Sequence, residues 1–416
     1  MKETVDKTYT EAVKNGAYDL NVGNLSGKYD NVRSYWEDQV TRFTLRPFLT
    51  DLVWKKKQAE GKIRVLDLGC GTGQGFEILT QIEKRDLDLG LQHDRVLPES
   101  ELECYLGLDL SGAMVAKGSE IYGDKPNVRF MQADLRDGLA KIRGHEPPFD
   151  IYFSSYGSLS HLSKADLKSL LRDICEHSQN HSLIVLDLIG RYSIEWPGYW
   201  SAKTEEEKVS EYSMSYLYSE FDSDMEIERF PLRFWTVAEV EELAQEISAE
   251  AGREIQLLKK FDRSIFVGRH TDTKEYNPKL QPIRRTVNSL HEDYRRTELR
   301  KLILDSEMIP SHPEVSPFLN ELLKSWNILV RYCQKRLKQN IPLVELDGWS
   351  DFSTPLQFAL MTLDRVINDT GWMWYGEPRS NIIEPQLGYA LRSLEANMQR
   401  GIGCGHGLLA ILKIRK

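Results

Sequence analysis

The segment Val65-Leu66-Asp67-Leu68-Gly69-Cys70-Gly71-Thr72-Gly73 decides the fold of this chain. Its apolar first half is typical of a buried β-strand, and the three alternate glycines indicate a tight turn directly after that strand. The following run, Phe76-Glu77-Ile78-Leu79, is helix-prone. A strand, a glycine-rich turn and a helix in this order are typical of a nucleotide-binding α/β sheet. In such a sheet the ligand lies at the carboxyl end of the strand.

The spacing of the glycines distinguishes two kinds of nucleotide site. A dinucleotide site uses Gly-x-Gly-x-x-Gly, with a pyrophosphate on the helix N-terminus. Here the pattern is Asp-x-Gly-x-Gly-x-Gly, which resembles motif I of the class I S-adenosylmethionine (SAM) dependent methyltransferases. An ordinary strand–helix turn is the alternative. The resemblance implies a cofactor-binding loop made of Asp67, Gly69, Cys70, Gly71 and Gly73.

The alternation of elements beyond this loop predicts the rest of the sheet. Apolar runs that are typical of strands lie at 64–68, 104–109, 128–132, 149–153, 182–187 and 264–268, with helical patterns between most of them. Thr236 and Glu239 have the spacing of a helix capping box. This alternation favours a doubly wound α/β fold. The family resemblance implies a mostly parallel, seven-stranded sheet of the Rossmann-like kind.

The chain divides into two parts in this interpretation. Residues 1–275 form the predicted SAM-binding domain, and residues 276–416 form a mostly α-helical C-terminal region with a cap, substrate-binding or dimerisation role. Helical patterns lie near 284–304, 315–338, 354–368 and 385–400. A second arrangement stays open, in which these helices are insertions wrapped onto the first domain and the apolar run 408–412 adds a strand. The cluster Trp372-Met373-Trp374-Tyr375 is interpreted as core or as a dimer contact.

Two further acidic positions fit a SAM site. Asp109, with Leu110 beside it, ends the second strand, where a carboxylate binds ribose hydroxyls. Its distance from the glycine loop is longer than usual, so residues 84–103 are interpreted as an insertion, with Asp86 and Asp88 as the less favoured alternatives. Asp134 and Leu135 follow the third strand and resemble the adenine-binding segment of the family.

The segment after the fourth strand resembles the glycine N-methyltransferase group. It begins with Phe-Asp and ends with His161-Leu162 at matching spacing. The resemblance implies that Ser155 and Tyr156 lie along the cofactor and that His161 faces cofactor or substrate. His161 and Tyr156 are therefore the candidate catalytic bases.

The methionine carboxylate of SAM requires a cation. In the glycine N-methyltransferase group an N-terminal arginine and tyrosine bind this end of the cofactor. Among Arg33, Arg42 and Arg46, Arg42 has roughly matching placement, and Tyr29 is the candidate tyrosine.

The composition limits the partners. The chain has 416 residues and a net charge of −9, which disfavours a nucleic-acid partner. Its five cysteines show no metal-ligand spacing, and no segment approaches 18 apolar residues. We therefore expect a cytoplasmic protein with reduced thiols, no metal and no membrane anchor, which forms a homodimer in one interpretation.

The sequence predicts SAM-dependent methyl transfer to N or O of a small metabolite or natural-product intermediate, with S-adenosylhomocysteine as the other product. A non-methylating enzyme that transfers the aminocarboxypropyl group of SAM or cyclises SAM is the main alternative. A SAM-binding regulatory subunit and a methyltransferase acting on nucleic acid or protein are less favoured.

Overall fold

The arrangement of the chain is known from a computed structural model. The residues that it describes are 9–11, 13, 14, 16, 27–84, 94–217, 227–371 and 376–415. Asp86, Asp88 and the cluster 372–375 lie outside the described residues, so the predictions made for them stay predictions.

The described residues form one seven-stranded sheet and one two-stranded sheet. The strands are β1 (Ile63–Leu68), β2 (Leu102–Asp109), β3 (Val128–Gln132), β4 (Ile151–Phe153), β5 (Leu183–Ile189), β6 (Val209–Ser213), β7 (Arg229–Arg233), β8 (Glu254–Arg263) and β9 (Gly407–Arg415). The larger sheet has the order β3-β2-β1-β4-β5-β9-β8, and β9 is antiparallel to both of its neighbours. Strands β6 and β7 pair antiparallel beside it. The predicted mostly parallel, doubly wound sheet is therefore confirmed.

Helices cover both faces of the sheet and continue into a helical region. They are α1 (Asp38–Gln58), α2 (Gln74–Thr80), α3 (Gly112–Ile121), α4 (Lys164–His177), α5 (Val237–Ala251), α6 (Ile283–Ser289), α7 (Ser316–Gln339), α8 (Thr354–Asp369) and α9 (Glu384–Met398). Helix α5 begins with the predicted capping box, in which Thr236 and Glu239 bond each other's backbone. A π-helical turn, Arg33–Glu37, leads into α1.

The strand predicted at 264–268 is wrong. The preceding residues form β8, and Ile265, Phe266 and Val267 are fully buried outside the sheet. The carboxylate of Glu395 on α9 accepts hydrogen bonds from the amides of Ile265 (3.0 Å) and Phe266 (3.2 Å). A side chain thus replaces the neighbouring strand as the hydrogen-bond acceptor of this apolar run.

The helical region is an insertion in the sheet domain. Strand β9, near the C-terminus, lies between β5 and β8, so the large sheet takes strands from both sides of the predicted boundary at 275/276. This corrects the division into 1–275 and 276–416. The second arrangement left open by the sequence, with 408–412 adding a strand, is the one observed. Strand β9 pairs with β5 on one side and with β8 on the other.

The insertion holds the segment that precedes α1. Arg284 of α6 donates to Asp30 (2.6 and 2.8 Å) and to Glu37 (2.8 Å), and all three side chains are buried. Asn288 accepts from the amide of Val32 at 2.6 Å. Because a buried charge is tolerated only when it is paired, this network fixes the path of residues 30–37 across the sheet domain.

Candidate active site

A cavity opens at the carboxyl ends of the parallel strands. Its empty volume is about 1530 Å³, a figure that includes space open to solvent. The strand-end half of the cavity is lined by Gly69, Cys70, Gly71, Asp109, Leu110, Asp134, Leu135 and Ser155. The aromatic half is lined by Tyr9, His161, Tyr212, Tyr216, Phe230 and His406. The two chemistries suit a polar cofactor beside a second molecule.

The glycine loop adopts backbone angles that favour glycine. Gly69, Gly71 and Gly73 have φ values of 72°, 53° and 93°. A Cβ on Gly69 would lie 2.6 Å from the Cβ of Ser158, whose hydroxyl donates to the Gly69 carbonyl at 2.7 Å. A Cβ on Gly71 would meet nothing within 4 Å, because this residue faces the cavity.

Gly73 differs from the other two glycines. A Cβ there would lie 2.6 Å from the ring of Phe130 and 2.8 Å from the ring of Tyr122. Gly73 does not line the cavity, so its predicted cofactor contact is corrected to a packing role. Close approach of two aromatic rings is what requires glycine at this position.

Asp109 is the carboxylate that organises the strand-end half. One of its oxygens accepts from the Gly71 amide at 2.8 Å, and the other accepts from the Ser111 amide at 2.9 Å. These two bonds tie the glycine loop to the end of the second strand. The side chain lines the cavity as predicted.

Asp134 and Leu135 lie on the same side of the cavity as predicted. Arg136 donates to the Asp134 carboxylate from Nε at 3.0 Å and from a terminal nitrogen at 2.7 Å. This bidentate pair holds the carboxylate in one orientation. Both carboxylates of the strand-end half therefore have fixed positions.

Asp67 does not line the cavity, which corrects its predicted contact with the cofactor. It is fully buried beneath the loop and accepts a hydrogen bond from the hydroxyl of Tyr105. A Cβ on Gly75 would lie 2.1 Å from one of its oxygens. Burial raises the pKa of Asp67 to about 7. Its role is to support the turn into α2 from below.

Arg42, the predicted partner of the methionine carboxylate, does not line the cavity. It is directed away from the cavity and donates to Gln81 at 2.9 Å on the exposed side of α1. Arg33 lines the cavity instead, is buried, and donates to Gln74 at 3.2 Å. The π-helical turn changes the face on which Arg33 emerges, which helical spacing from α1 does not predict.

Tyr29 is one layer behind the cavity wall. The amide nitrogen of Gln74, a cavity residue, donates to its hydroxyl. The guanidinium of Arg33 lies 5.8 Å from its ring centroid. Tyr29 thus contacts the predicted cofactor end of the site through Gln74 and Arg33, and its predicted direct contact with the cofactor is corrected.

Tyr156 lines the cavity, but its hydroxyl is engaged elsewhere. That hydroxyl donates to Asp38, which is not a cavity residue. The guanidinium groups of Arg33 and Arg263 lie 3.3 and 4.3 Å from the ring centroid. Burial raises the pKa of Tyr156 well above its usual value. These contacts argue against the predicted role as a base and make Tyr156 a wall of the cavity.

His161 lies in the aromatic half as predicted. Its Nε2 is 2.9 Å from the hydroxyl of Tyr9, and its Nδ1 is buried with no hydrogen-bond partner among the described residues. The ring packs on Phe230 at a centroid distance of 4.8 Å. Burial lowers the pKa of His161 to about 4, so the imidazole is neutral at pH 7 and is a weak base.

Residues 95–180 match a family model described as a methyltransferase domain. The sheet order, with one antiparallel strand inserted beside the parallel ones, agrees with that match. This stretch of the chain is therefore similar to a methyltransferase domain.

Solved structures that are similar to part of this chain include methyltransferases. A SAM-dependent methyltransferase from Clostridium acetobutylicum has 15% identity and a TM-score of 0.34, over 52% of this chain and 83% of that chain. An amino pentose methyltransferase from Micromonospora echinaspora, involved in calicheamicin biosynthesis, has 17% identity and a TM-score of 0.30, over 51% and 85%. No curated protein matches the chain. The substrate of this methyltransferase domain therefore has to be inferred from its own cavity.

The segment 196–221 is rich in aromatic residues and supplies part of the aromatic half. Of the aromatic residues in 196–221, Tyr212 and Tyr216 line the cavity of the methyltransferase domain. The indoles of Trp196 and Trp200 instead donate to backbone carbonyls at 2.8 Å inside the core. Residues 218–221 lie outside the described residues.

Sequence reasoning missed Tyr9, Phe230 and His406. The signal for His406 is the run Gly401-Ile402-Gly403-Cys404-Gly405-His406-Gly407, which repeats the alternate glycines of the first loop directly before β9. A Cβ on Gly405 would lie 2.3 Å from a backbone oxygen of Arg263. These glycines mark a close crossing of chains beside the cavity.

Neither a metal centre nor a membrane span is found among the described residues. In the described ranges, no group of three or more His, Cys, Asp or Glu residues is placed to hold a metal ion. Nor does any helix in the parts of the chain that the structure describes combine the length and apolarity of a membrane span. All five cysteines are buried and free.

Proposed function

We propose that this protein transfers the methyl group of SAM to a nitrogen or oxygen atom of a small molecule. The observation that carries the proposal is one cavity with two chemistries: a carboxylate-rich half at the strand ends and an aromatic half beside it. Methyl transfer needs a donor and an acceptor side by side in a site without water.

The residues of the strand-end half fit SAM. Gly71, with a φ of 53° and no atom where a Cβ would be, leaves space for a ligand against the backbone. Asp109 would accept from the ribose hydroxyls, and Asp134 with the Leu135 amide would bind adenine. Arg33 would bind the methionine carboxylate. When bound, SAM supplies an electrophilic methyl group.

The residues of the aromatic half would bind and orient the acceptor. The rings of Tyr9 and Tyr212 stack on either side of Phe230, at centroid distances of 5.6 and 5.8 Å. The neutral His161 offers its unpartnered Nδ1 to a polar group of the acceptor. Aromatic walls and few polar groups favour a small organic molecule over a nucleic acid or a protein chain.

The helical insertion would act as a brace of this site. Within the described residues, none from 276 to 405 lines the cavity, whereas α6 and α9 bond to the segment that carries Arg33. A brace is therefore better supported than the cap or substrate-binding role. Dimerisation and a cytoplasmic location stay predictions.

Calorimetry and product analysis test the proposal together. Titration with SAM and with S-adenosylhomocysteine should release or absorb heat with one site per chain. Turnover should then yield S-adenosylhomocysteine and not methylthioadenosine, which aminocarboxypropyl transfer or cyclisation would give. Absence of binding to both nucleosides would overturn the proposal, and accumulation of methylthioadenosine would favour the non-methylating alternative.

The choice of cation can be tested with a pair of arginine variants. Arg33→Met should weaken SAM binding by about 2 kcal/mol, roughly 30-fold, because a buried charged hydrogen bond is lost. Arg42→Met is the matched control and should change the dissociation constant by less than about twofold, because Arg42 does not line the cavity. Calorimetry measures both. If Arg42→Met weakened SAM binding more than Arg33→Met, Arg42 would be the residue that binds the methionine carboxylate.

A further inference from the structure

A carboxylate lies buried directly behind the aromatic half of the cavity. Glu195, in the loop after β5, is fully buried. It accepts from the Ser193 hydroxyl at 3.0 Å, from the His270 amide at 2.5 Å and from Nδ1 of His406 at 2.8 Å. Burial acts to raise its pKa, but His406 and His270 outweigh that effect and the pKa of Glu195 lies below its usual value. This carboxylate is therefore ionised at neutral pH.

The fold brings His406 to the edge of the sheet where the parallel strands end and the cavity opens. Because β9 runs antiparallel to β5, with Gly407 opposite Ile189, the residue before β9 lies at the carboxyl end of β5. The amide of His406 donates to the carbonyl of Ser264, and the carbonyl of His406 accepts from the amide of Gly190, each at 3.1 Å. These two bonds fix the backbone of His406 on both sides. Its imidazole lines the cavity.

The bond to Glu195 determines which nitrogen of His406 is available. A carboxylate on Nδ1 requires the proton there and leaves Nε2 as a hydrogen-bond acceptor. Nε2 is 3.5 Å from the hydroxyl of Tyr212, at the outer limit of a hydrogen bond. A hydroxyl group of a bound molecule would be a better partner for Nε2.

The two histidines of the aromatic half thus differ in chemistry. His161 has a tyrosine hydroxyl as its partner, while His406 has a buried carboxylate. A carboxylate stabilises the imidazolium that forms when a base takes a proton. An amine that is already neutral needs no such base before methylation, whereas a hydroxyl group does.

We propose that His406, oriented by Glu195, accepts the proton of a phenolic hydroxyl group, and that the acceptor is a flat aromatic molecule held beside Phe230 and Tyr212. This inference rests on the proposed function and names its acceptor. The hydroxyl proton passes to Nε2 of His406. The acceptor oxygen bonds to the methyl carbon as the carbon–sulfur bond breaks, and sulfur keeps the electron pair. His406 is then a catalytic residue and Glu195 a positioning residue.

The test compares two phenols of different acidity. At about pH 9 phenol is still largely protonated, as is a tyrosine side chain with a pKa near 10, whereas 4-nitrophenol is already an anion. Formation of S-adenosylhomocysteine is measured with each phenol for the wild-type full chain, His406→Gln and Glu195→Gln. With phenol, both variants should be at least about 100-fold slower, the usual contribution of a general base. With 4-nitrophenol, whose proton is already gone, the loss should be below about fivefold.

His291→Gln serves as the matched control. His291 packs against Tyr35 and Tyr389 and does not line the cavity, so both rates should equal those of the wild type. Binding of S-adenosylhomocysteine and the melting temperature are measured for every variant, so that a folding defect is recognised by weaker binding or a lower melting temperature and such a variant is set aside. The Glu195→Gln variant gives a second route if His406→Gln does not fold.

Each outcome bears on the inference. Selective loss with phenol supports it, and equal loss or no loss with the two phenols overturns it. A wild-type protein that binds SAM but methylates neither phenol also overturns it, while the proposed function stands on its own test of SAM binding and nucleoside product. Failure to bind SAM overturns the proposed function itself.

Discussion

Asp109→Ala is expected to weaken SAM binding by about 3 kcal/mol, roughly 150-fold. The carboxylate accepts from the amides of Gly71 and Ser111 at 2.8 and 2.9 Å. Its removal leaves two backbone donors without their acceptor and takes away the group that would bind the ribose. The glycine loop also loses its link to β2. Isothermal calorimetry with S-adenosylhomocysteine measures the dissociation constant directly.

Asp124→Ala is the matched control for this prediction. Asp124 is exposed in the turn before β3 and does not line the cavity. Its replacement should leave the dissociation constant within about twofold of the wild type, as surface substitutions usually do. If Asp109→Ala bound the nucleoside as well as Asp124→Ala does, the ribose assignment would be wrong.

Glu37→Ala is expected to reduce the free energy of unfolding by about 3–5 kcal/mol. Glu37 is buried and accepts from Arg269 at 2.9 Å and from Arg284 at 2.8 Å. Burial acts to raise the pKa of Glu37, but Arg269, Arg284 and Arg263 hold it well below its usual range. Without this carboxylate, two buried guanidinium groups each lose a counterion, and Arg284 keeps its pair with Asp30. The expected loss is a large part of the roughly 5–15 kcal/mol of a typical domain.

Urea unfolding followed by tryptophan fluorescence measures this loss. Glu120→Ala is the control, because Glu120 is exposed on α3 and lies 3.7 Å from Lys117, so its removal should cost less than about 1 kcal/mol. If Glu37→Ala is insoluble, Glu37→Gln, which removes the charge at nearly constant volume, should show the same direction of change. Equal stability of Glu37→Ala and Glu120→Ala would contradict the view that this network braces the site.

The local patterns of the sequence predicted the parts of the fold that depend on neighbours in the chain. The third strand was predicted at 128–132 and is observed with these bounds. The capping box of Thr236 and Glu239 is observed as well. Both depend on residues within a few positions of each other, so their spacing carries the information.

The parts that failed depend on contacts between distant residues. The run 264–268 has the composition of a strand, but Glu395 on α9 takes its amide hydrogen bonds. Arg42 has the expected position along the chain, but the π-helical turn directs Arg33 into the cavity instead. Hydrophobic periodicity assigns a residue to one face of a helix or strand. It does not determine which distant residues contact that face.

The parallel sheet, the glycine turn and the acidic residues at the strand ends could be predicted from the sequence, because each of these follows from residues adjacent in the chain. The tertiary structure is needed to place β9 between β5 and β8 and to set His406 against Glu195, 211 positions apart. That pairing requires the helical insertion to return the chain to the sheet. Its physical cause is burial, since a fully enclosed carboxylate needs a partner that the fold supplies from a distant segment.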